Sequence, residues 1–394
     1  MNNEVMIVAG EASGDLHGSR LVSSMLEENP ALHFSGIGGP ELKKTGVELL
    51  YDASKIAVVG LFEVVSHLSH ILRAQRLLRK SLKEKRPGLL ILIDFPDFNL
   101  LLARKAKKLG VPVFYYISPQ VWAWRSGRVG TIDRLTDGIG VILPFEEEFY
   151  RQRGVTKAKY VGHPLLDTVA NRMSREEFCA AHDIDPLRKL VGILPGSRQR
   201  EINSLLPEFL RAAETVNEKC PESPVFLIPQ APTIEAEELF DSGLRDVDSR
   251  LDIRIIGDNH RYELMAACDA IVAASGTVTL EIVLLDSPMV VAYKLSPMTY
   301  RVGRLLVRLG QFSLVKLGFF SLVNLVAGKE VVVELLQDDA NADAIAAELT
   351  NLLFDQDHRN AQLSEFKGIR KKLGDRGASK HAAALAISLM KNDD

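Results

Sequence analysis

Short apolar runs alternate with longer amphipathic segments along almost the whole chain. Residues 5–9, 89–94, 111–117 and 138–143 are nearly continuous apolar runs, and 189–194, 225–228, 253–256, 270–274 and 289–293 repeat the habit. Runs of this kind suit strands buried on both faces, as in a parallel sheet. Helical patterns lie between them, for example 61–85 and 99–109, and the Ala-rich stretch 378–391 reads as one more helix. The alternation is βαβ in character, so the fold class is α/β, with parallel sheets covered by helices on both faces.

The strands fall into two groups of similar size, separated by residues 162–189, which contain no strand-like run. This pattern predicts two Rossmann-like domains, 1–165 and 186–375, joined by a linker at 166–185. A terminal helix at about 376–394 is a candidate to pack back onto the first domain. Ligands of open parallel sheets bind beyond the carboxyl ends of the strands, so the informative residues should follow strands.

They do. In VAASGTVTLEIVLLDSP, residues 272–288, one glutamate sits among Val278, Leu280, Ile282, Val283 and Leu284. The pattern predicts a strand to Ala274, an N-cap at Ser275 and a helix over about 276–285. Ser275, Gly276 and Thr277 offer small side chains and backbone N–H groups to a phosphate at the positive end of that helix. Glu281 is four residues past Thr277, one turn or ~6 Å deeper on the same face. There its carboxylate could accept two ribose hydroxyls; a salt-bridged surface glutamate is the alternative. In VGILPGSRQREI, residues 191–202, Ser197 and Arg198 follow a strand end, and a guanidinium there could neutralise a leaving diphosphate. Pro207 suits a first turn, which predicts a helix starting near Ser204.

LLILIDFPDFNLL, residues 89–101 and onward, places Asp94, Asp97 and Asn99 after another strand. One aspartate could cap the next helix; the other is a candidate general base whose pKa burial would raise. Spacing does not choose between them. The loop GEASGDLHGSR carries His17, a candidate substrate contact or a plain helix-surface histidine. Its glycines are spaced GxxxGxxxG, not GxGxxG, which argues against an NAD-dependent dehydrogenase.

Composition narrows the field. The chain has 394 residues, 48 Lys plus Arg against 51 Asp plus Glu, and a net charge of −3. No basic footprint for nucleic acid follows. Cys179, Cys220 and Cys268 form no metal motif and read as free thiols of a reducing compartment. The D-x-D pairs 183–185 and 246–248 read as solvated acids, so neither a metal nor another cofactor is expected. The start lacks a secretory signal, and no run reaches the ~20 apolar residues of a membrane span. Two segments nevertheless look lipid-facing. In 61–86, Leu61, Val64, Val65, Leu68, Ile71, Leu72, Leu78 and Leu82 read as one apolar stripe beside a crowd of Arg and Lys. In 300–327, Arg301, Arg304, Arg308 and Lys316 lie among many Leu, Val and Phe. Both suit an anionic lipid surface; a core helix with a cationic wet face is the alternative for the first.

GEASGDLHG, GIGGP, DFPDFN, SPQVWAWR, GHPLLD, LPGSR and SGTVTLE stand in the order seen in lipid-A-disaccharide synthases, and the chain resembles that family from about Val5 to Gly328. The resemblance implies a GT-B-type glycosyltransferase with two facing Rossmann-like domains. It implies the reaction of UDP-2,3-diacylglucosamine with 2,3-diacylglucosamine 1-phosphate, with inversion, to give lipid A disaccharide 1-phosphate and UDP. Carried over motif by motif, Asp97 is the base, with His17 and Asn99 near the acceptor. Arg198 and Ser197 meet the diphosphate, Ser275 to Thr277 cradle it, Glu281 holds the ribose, and Asn324 lines the cleft. Val323 stands where the family usually has proline, which leaves the path of that loop open. The implied setting is a Gram-negative cytoplasm with peripheral attachment to the inner membrane. The oligomeric state stays open, a homodimer being one option. The rival readings are another UDP-sugar transferase or epimerase of this architecture, and a non-catalytic two-domain binding protein.

Overall fold

Strands form where apolar side chains run without interruption, and helices where they recur with a helical period. The computed structural model describes residues 2–56, 61–123, 126–231, 234–247, 251–295 and 318–390. The chain divides into unit 1, residues 1–167 with 373–394, and unit 2, residues 168–372.

Unit 1 begins with β1 (Glu4–Ala9), α1 (Ala12–Glu28), β2 (His33–Gly38), α2 (Pro40–Lys44) and β3 (Glu48–Asp52). It continues through α3 (Leu61–Lys85), β4 (Leu89–Ile93), α4 (Pro96–Lys108), β5 (Val113–Tyr116) and α5 (Val129–Leu135). It ends with β6 (Gly138–Val141), α6 (Pro144–Arg151) and β7 (Ala158–Tyr160), followed by a single turn, α7 (Leu165–Thr168). The seven strands are parallel, in the order β3-β2-β1-β4-β5-β6-β7.

Unit 2 begins with α8 (Arg175–Ala181), β8 (Leu190–Leu194), α9 (Gln199–Lys219), β9 (Val225–Pro229) and α10 (Ala236–Asp241). Then come β10 (Asp252–Ile256), α11 (Arg261–Ala267), β11 (Ala270–Ala274), α12 (Val278–Leu284) and β12 (Met289–Tyr293). The last elements are α13 (Leu322–Ala327), β13 (Glu334–Leu336), α14 (Ala342–Phe354) and α15 (Gln356–Leu373). Six parallel strands take the order β10-β9-β8-β11-β12-β13. The terminal helix, α16 (Ala378–Ser388), belongs to unit 1.

Each central strand feeds two cores. Met6, Val8, Leu90 and Leu92 pack with Leu78 and Leu82 of α3 and Leu102 and Ala106 of α4. The alternate side chains Ile7, Ala9, Ile91 and Ile93 pack with Leu21 and Met25 of α1 and with Ala382 and Ala386 of α16. Every side chain of this size removed from water contributes about 1.5–3 kcal/mol, which is why the runs are apolar at consecutive positions.

Three local expectations change. Helix α9 starts at Gln199, not near Ser204, and carries Pro207 in its interior. Proline there costs about 3 kcal/mol. Ile202, Leu205, Leu206, Phe209 and Leu210 on either side of it are all buried and outweigh that cost. The N-cap of α12 is Thr277, not Ser275. Strands β2, β3, β7 and β13 add to those the apolar runs predict: HFSGIG is rich in Gly and Ser, and β7 and β13 have three residues each. The second lipid-facing segment lies largely outside the described residues, as do Trp124 and Arg125. Among the described residues no helix is long and apolar enough to cross a membrane.

Gly36 of β2 tests the packing. A Cβ there would lie 1.8 Å from the carbonyl oxygen of Ile7 on β1. Gly36→Ala should force those strands apart and cost about 1–3 kcal/mol, read as a lower urea midpoint at an unchanged m-value.

Candidate functional site

In unit 2 the strand order reverses between β8 and β11, so the chain leaves these neighbours in opposite directions. The crevice between their following loops is a cavity of about 370 Å³. Gly196, Ser197 and Arg198 border it from β8, Ser275, Gly276, Thr277 and Glu281 from β11, and Gln230, Asp258 and Arg261 from β9 and β10.

Gly196 has φ +114°, and a Cβ on it would lie 2.5 Å from Glu201 Oε2. Only glycine fits this turn. It delivers Arg198 to the N-cap of α9, where no side chain caps the helix. Arg198 Nη1 donates to Glu201 Oε1 at 3.1 Å, and the Arg198 side chain is 66% exposed at the cavity mouth. On the β11 side, Gly276 has open space where a side chain would be. Ser275 lines the cavity, but its N–H donates to the Ala292 carbonyl at 3.1 Å and its hydroxyl to the Phe320 carbonyl at 3.4 Å. The donors expected of Ser275 are therefore engaged within the protein, and the approach to an anion falls to Gly276, Thr277 and the start of α9.

Glu281 is buried, 8% exposed, and borders the cavity. Burial pushes its carboxyl pKa up, and Arg261 pulls it back. The Arg261 Nη2 to Glu281 Oε1 distance is 3.4 Å. Asn324 behaves differently from expectation. Its Nδ2 donates to the Val332 carbonyl and to Glu334 Oε1, and its Oδ1 accepts from the N–H groups of Val331 and Val332. An amide has two donor hydrogens and two acceptor lone pairs, so none is left for a ligand. Asn324 pins the turn between α13 and β13 and does not line the cavity. Arg261, Gln230 and Asp258 went unnoticed in the sequence because they follow strands without a motif to mark them.

In unit 1 the reversal lies between β1 and β4. Gly10, after β1, is where a Cβ would lie 2.6 Å from the Phe95 ring. After β4, Asp94 and Phe95 have φ 43° and 44°, the left-handed region that costs a non-glycine residue about 1–2 kcal/mol. Asn99 Nδ2 and Tyr115 Oη both donate to the Asp94 carbonyl at 2.7 Å and hold this turn. Strain of this kind gathers at functional sites.

The two aspartates now separate. Asp97 stands in the first turn of α4, its side chain 76% exposed and paired with Arg128 at 2.5 Å. Asp94 is largely enclosed, and burial, assisted by the charge of Glu11, raises its pKa to about 6. Burial, the property asked of a base, falls on Asp94. Asn99 is fully buried and acts on the backbone of Asp94. His17 lies on α1, where burial and Arg20 lower its pKa to about 4 and His163 is its neighbour. Among the described residues no three His, Cys, Asp or Glu side chains are grouped to hold a metal ion.

The family model described as lipid-A-disaccharide synthetase matches residues 5–388. The chain belongs to the lipid-A-disaccharide synthetase family. It is therefore a glycosyltransferase. It is 46% identical to the lipid-A-disaccharide synthase of Geobacter sulfurreducens, covering 99% of this chain and 98% of the relative. It is 47% identical to that of Syntrophus aciditrophicus, covering 100% of both. Among solved structures, a UDP-GlcNAc 2-epimerase from Neisseria meningitidis bound to UDP-GlcNAc aligns with TM-score 0.61 at 13% identity, covering 99% and 100%. The calicheamicin glycosyltransferase CalG4 aligns with TM-score 0.56 at 13% identity, covering 98% and 100%. These two share the fold of two parallel-sheet α/β units.

The enclosed histidines of this family member give a pH test. Burial lowers His163, like His17, to about 4 from 6.5. The unfolded chain takes up protons at about 6.5 and the folded chain only near 4, so stability falls as pH drops across that window. His163→Asn, which keeps an acceptor for the Leu165 N–H, should flatten the fall in melting temperature between pH 6.5 and 4.

Proposed function

We propose that the chain joins UDP-2,3-diacylglucosamine to 2,3-diacylglucosamine 1-phosphate. The products are the β-1,6-linked disaccharide 1-phosphate and UDP. The observation that carries this reading is the family match over residues 5–388. The unit 2 cavity supports it, since its lining offers partners for the ribose and the diphosphate of a uridine diphosphate. The neighbour solved with UDP-GlcNAc bound lends the same direction.

In the proposed mechanism Glu281 accepts the ribose hydroxyls, and Arg261 offsets its charge. Gly276, Thr277 and the start of α9 donate to the diphosphate, and Arg198 neutralises charge as the diphosphate departs. Asp94 takes the proton from the 6-hydroxyl of the acceptor. That oxygen attacks the anomeric carbon as the bond to UDP breaks, so configuration inverts in one displacement. Asp97, paired with Arg128, shapes the loop beside it. We infer a cytoplasmic reaction at the inner-membrane surface, because both proposed substrates carry acyl chains.

Purified protein should release UDP from the donor only when the acceptor is present, with disaccharide 1-phosphate as the second product. UDP release without acceptor, or an epimerised sugar, would overturn the reading. Asp94→Asn should lower turnover by about 100-fold or more, the usual scale for a general base. Its melting temperature should not fall, since above pH 6 the charge of Asp94 is costlier folded than unfolded. The ionised carboxyl is the active form, so kcat/KM should drop tenfold per pH unit below about 6 and level off above it. Glu281→Gln should weaken UDP binding by about tenfold, the scale of one charged hydrogen bond, with titration calorimetry as the measurement.

A further inference from the structure

Two histidines that no motif marks meet in unit 2. His182 closes α8, and His260 stands at the N-cap of α11. His182 Nε2 and His260 Nδ1 lie 3.0 Å apart, with the rings edge to face at 84°. At that distance one imidazole donates and the other accepts. His182 is held from behind: its ring packs on Phe178 at 4.6 Å between centroids, and its carbonyl accepts from Arg254 Nη1 at 2.8 Å. His260 ends the turn Asp258–His260, and its N–H donates to the Gly257 carbonyl at 3.1 Å. Asp258 and Arg261, on either side of His260, both border the unit 2 cavity. Arg261 donates to Tyr262 Oη at 2.6 Å but meets Asp258 Oδ1 and Glu281 Oε1 only at 3.4 Å each. Contacts that loose leave the guanidinium dependent on the backbone that carries it. Helices α8 and α11 are tied at the far end, where Arg175 Nη1 donates to the Ala267 carbonyl at 2.6 Å. The histidine bridge ties the end that borders the cavity.

We propose that His260, through its bond to His182, is a positioning residue for the nucleotide: the bridge fixes the Asp258–Arg261 turn and so keeps Arg261 against Glu281, and it parts when both imidazoles are protonated. The inference rests on the reading of this cavity as the nucleotide site and adds a pH-governed support for it. A neutral pair keeps the bond, and a pair with one extra proton strengthens it. A doubly protonated pair sets two N–H donors and two like charges against each other, so the protons go on in coupled steps. Arg254 beside His182 and Arg261 beside His260 add to the repulsion, while Asp183 and Asp258 oppose it. Burial, then His260 and Arg254, lower the pKa of His182 below the ordinary 6.5, against the pull of Asp183. The bridge is therefore whole at neutral pH and is lost on acidification below that value.

The test is titration calorimetry of the full chain with UDP at about pH 7.5 and about pH 5, on either side of the histidine range. His260→Ala removes the bridge. His182→Gln/His260→Asn keeps it without titration, because the Gln amide stands where Nε2 was and the Asn amide where Nδ1 was. His260→Ala should weaken UDP binding by about tenfold at the higher pH, the scale of one hydrogen bond. The amide pair should match the parent there. At the lower pH the parent should bind about tenfold more weakly than the amide pair. Comparing the two at one pH cancels the titration of the UDP phosphate and of Glu281. An unchanged Kd in His260→Ala overturns the proposal, and so does a parent-to-amide-pair ratio that is the same at both pH values. If the parent binds no UDP, the nucleotide reading fails by itself. In that case, or where the amide pair does not fold, 15N NMR of the parent decides the bridge. An Arg261 Nε resonance that moves with the second imidazole protonation supports it, and one that stays in place overturns it.

Discussion

Parallel strands buried on both faces leave few places where polar chemistry can survive. The strands of both sheets are apolar at consecutive positions because helices cover each side. The polar ends of the strands are where such chemistry can gather, and the points where strand order reverses open a crevice there. Each unit has one such point. Between β8 and β11 the departing loops leave a cavity bordered by Arg198, Gly276 and Glu281. Between β1 and β4 the same geometry brings Gly10 against Phe95 and sets Asp94 in a left-handed turn. The candidate site residues are scattered in sequence and gathered by this one topological rule.

Charge at these points is expensive, and the surroundings show how it is tolerated. Glu281 loses hydration but gains Arg261. Among the described residues no cation stands beside Asp94; burial and the charge of Glu11 raise its carboxyl to about 6. A carboxylate kept that uncomfortable, on a backbone held by Asn99 and Tyr115, lowers stability, and groups of this kind cluster at functional sites. The two asparagines make the contrast sharper. Asn324 spends every hydrogen bond on its own loop, whereas Asn99 spends its amide on the carbonyl of Asp94. The first supports the fold near the site, and the second sets the geometry of a candidate base.

Some of this was legible in the chain and some was not, for physical reasons. Leu89–Ile93 and Ala270–Ala274 were readable because a doubly buried strand must be apolar throughout. His33–Gly38 was not, because its glycines satisfy a close strand approach, at Gly36 above all, and carry no hydrophobic signal. Glu281 was visible as one carboxylate in an apolar helix. Arg261 was invisible because an arginine after a strand looks like any surface arginine until Glu281 is placed opposite it. Motif order singled out Asp97, while burial singles out Asp94; two aspartates three residues apart differ only in which side of a turn they occupy, and that depends on the backbone at Phe95. Pro207 misled because local propensity is weak against five buried neighbours.

Helix α3 carries the same lesson further. Its leucines read as one stripe, yet Leu72 and Leu78 are six residues apart, which at ~100° per residue turns them about 120° away from each other. The structure resolves two rows. Ala74, Leu78 and Leu82 enter the core, and Leu68 and Leu72, continued by Arg76, line an apolar groove that α3 forms with the start of α4. A helix with one apolar row is explained by folding alone. A second row, left in water and ending in guanidiniums beside the left-handed turn at Asp94 and Phe95, is a cost that folding does not require.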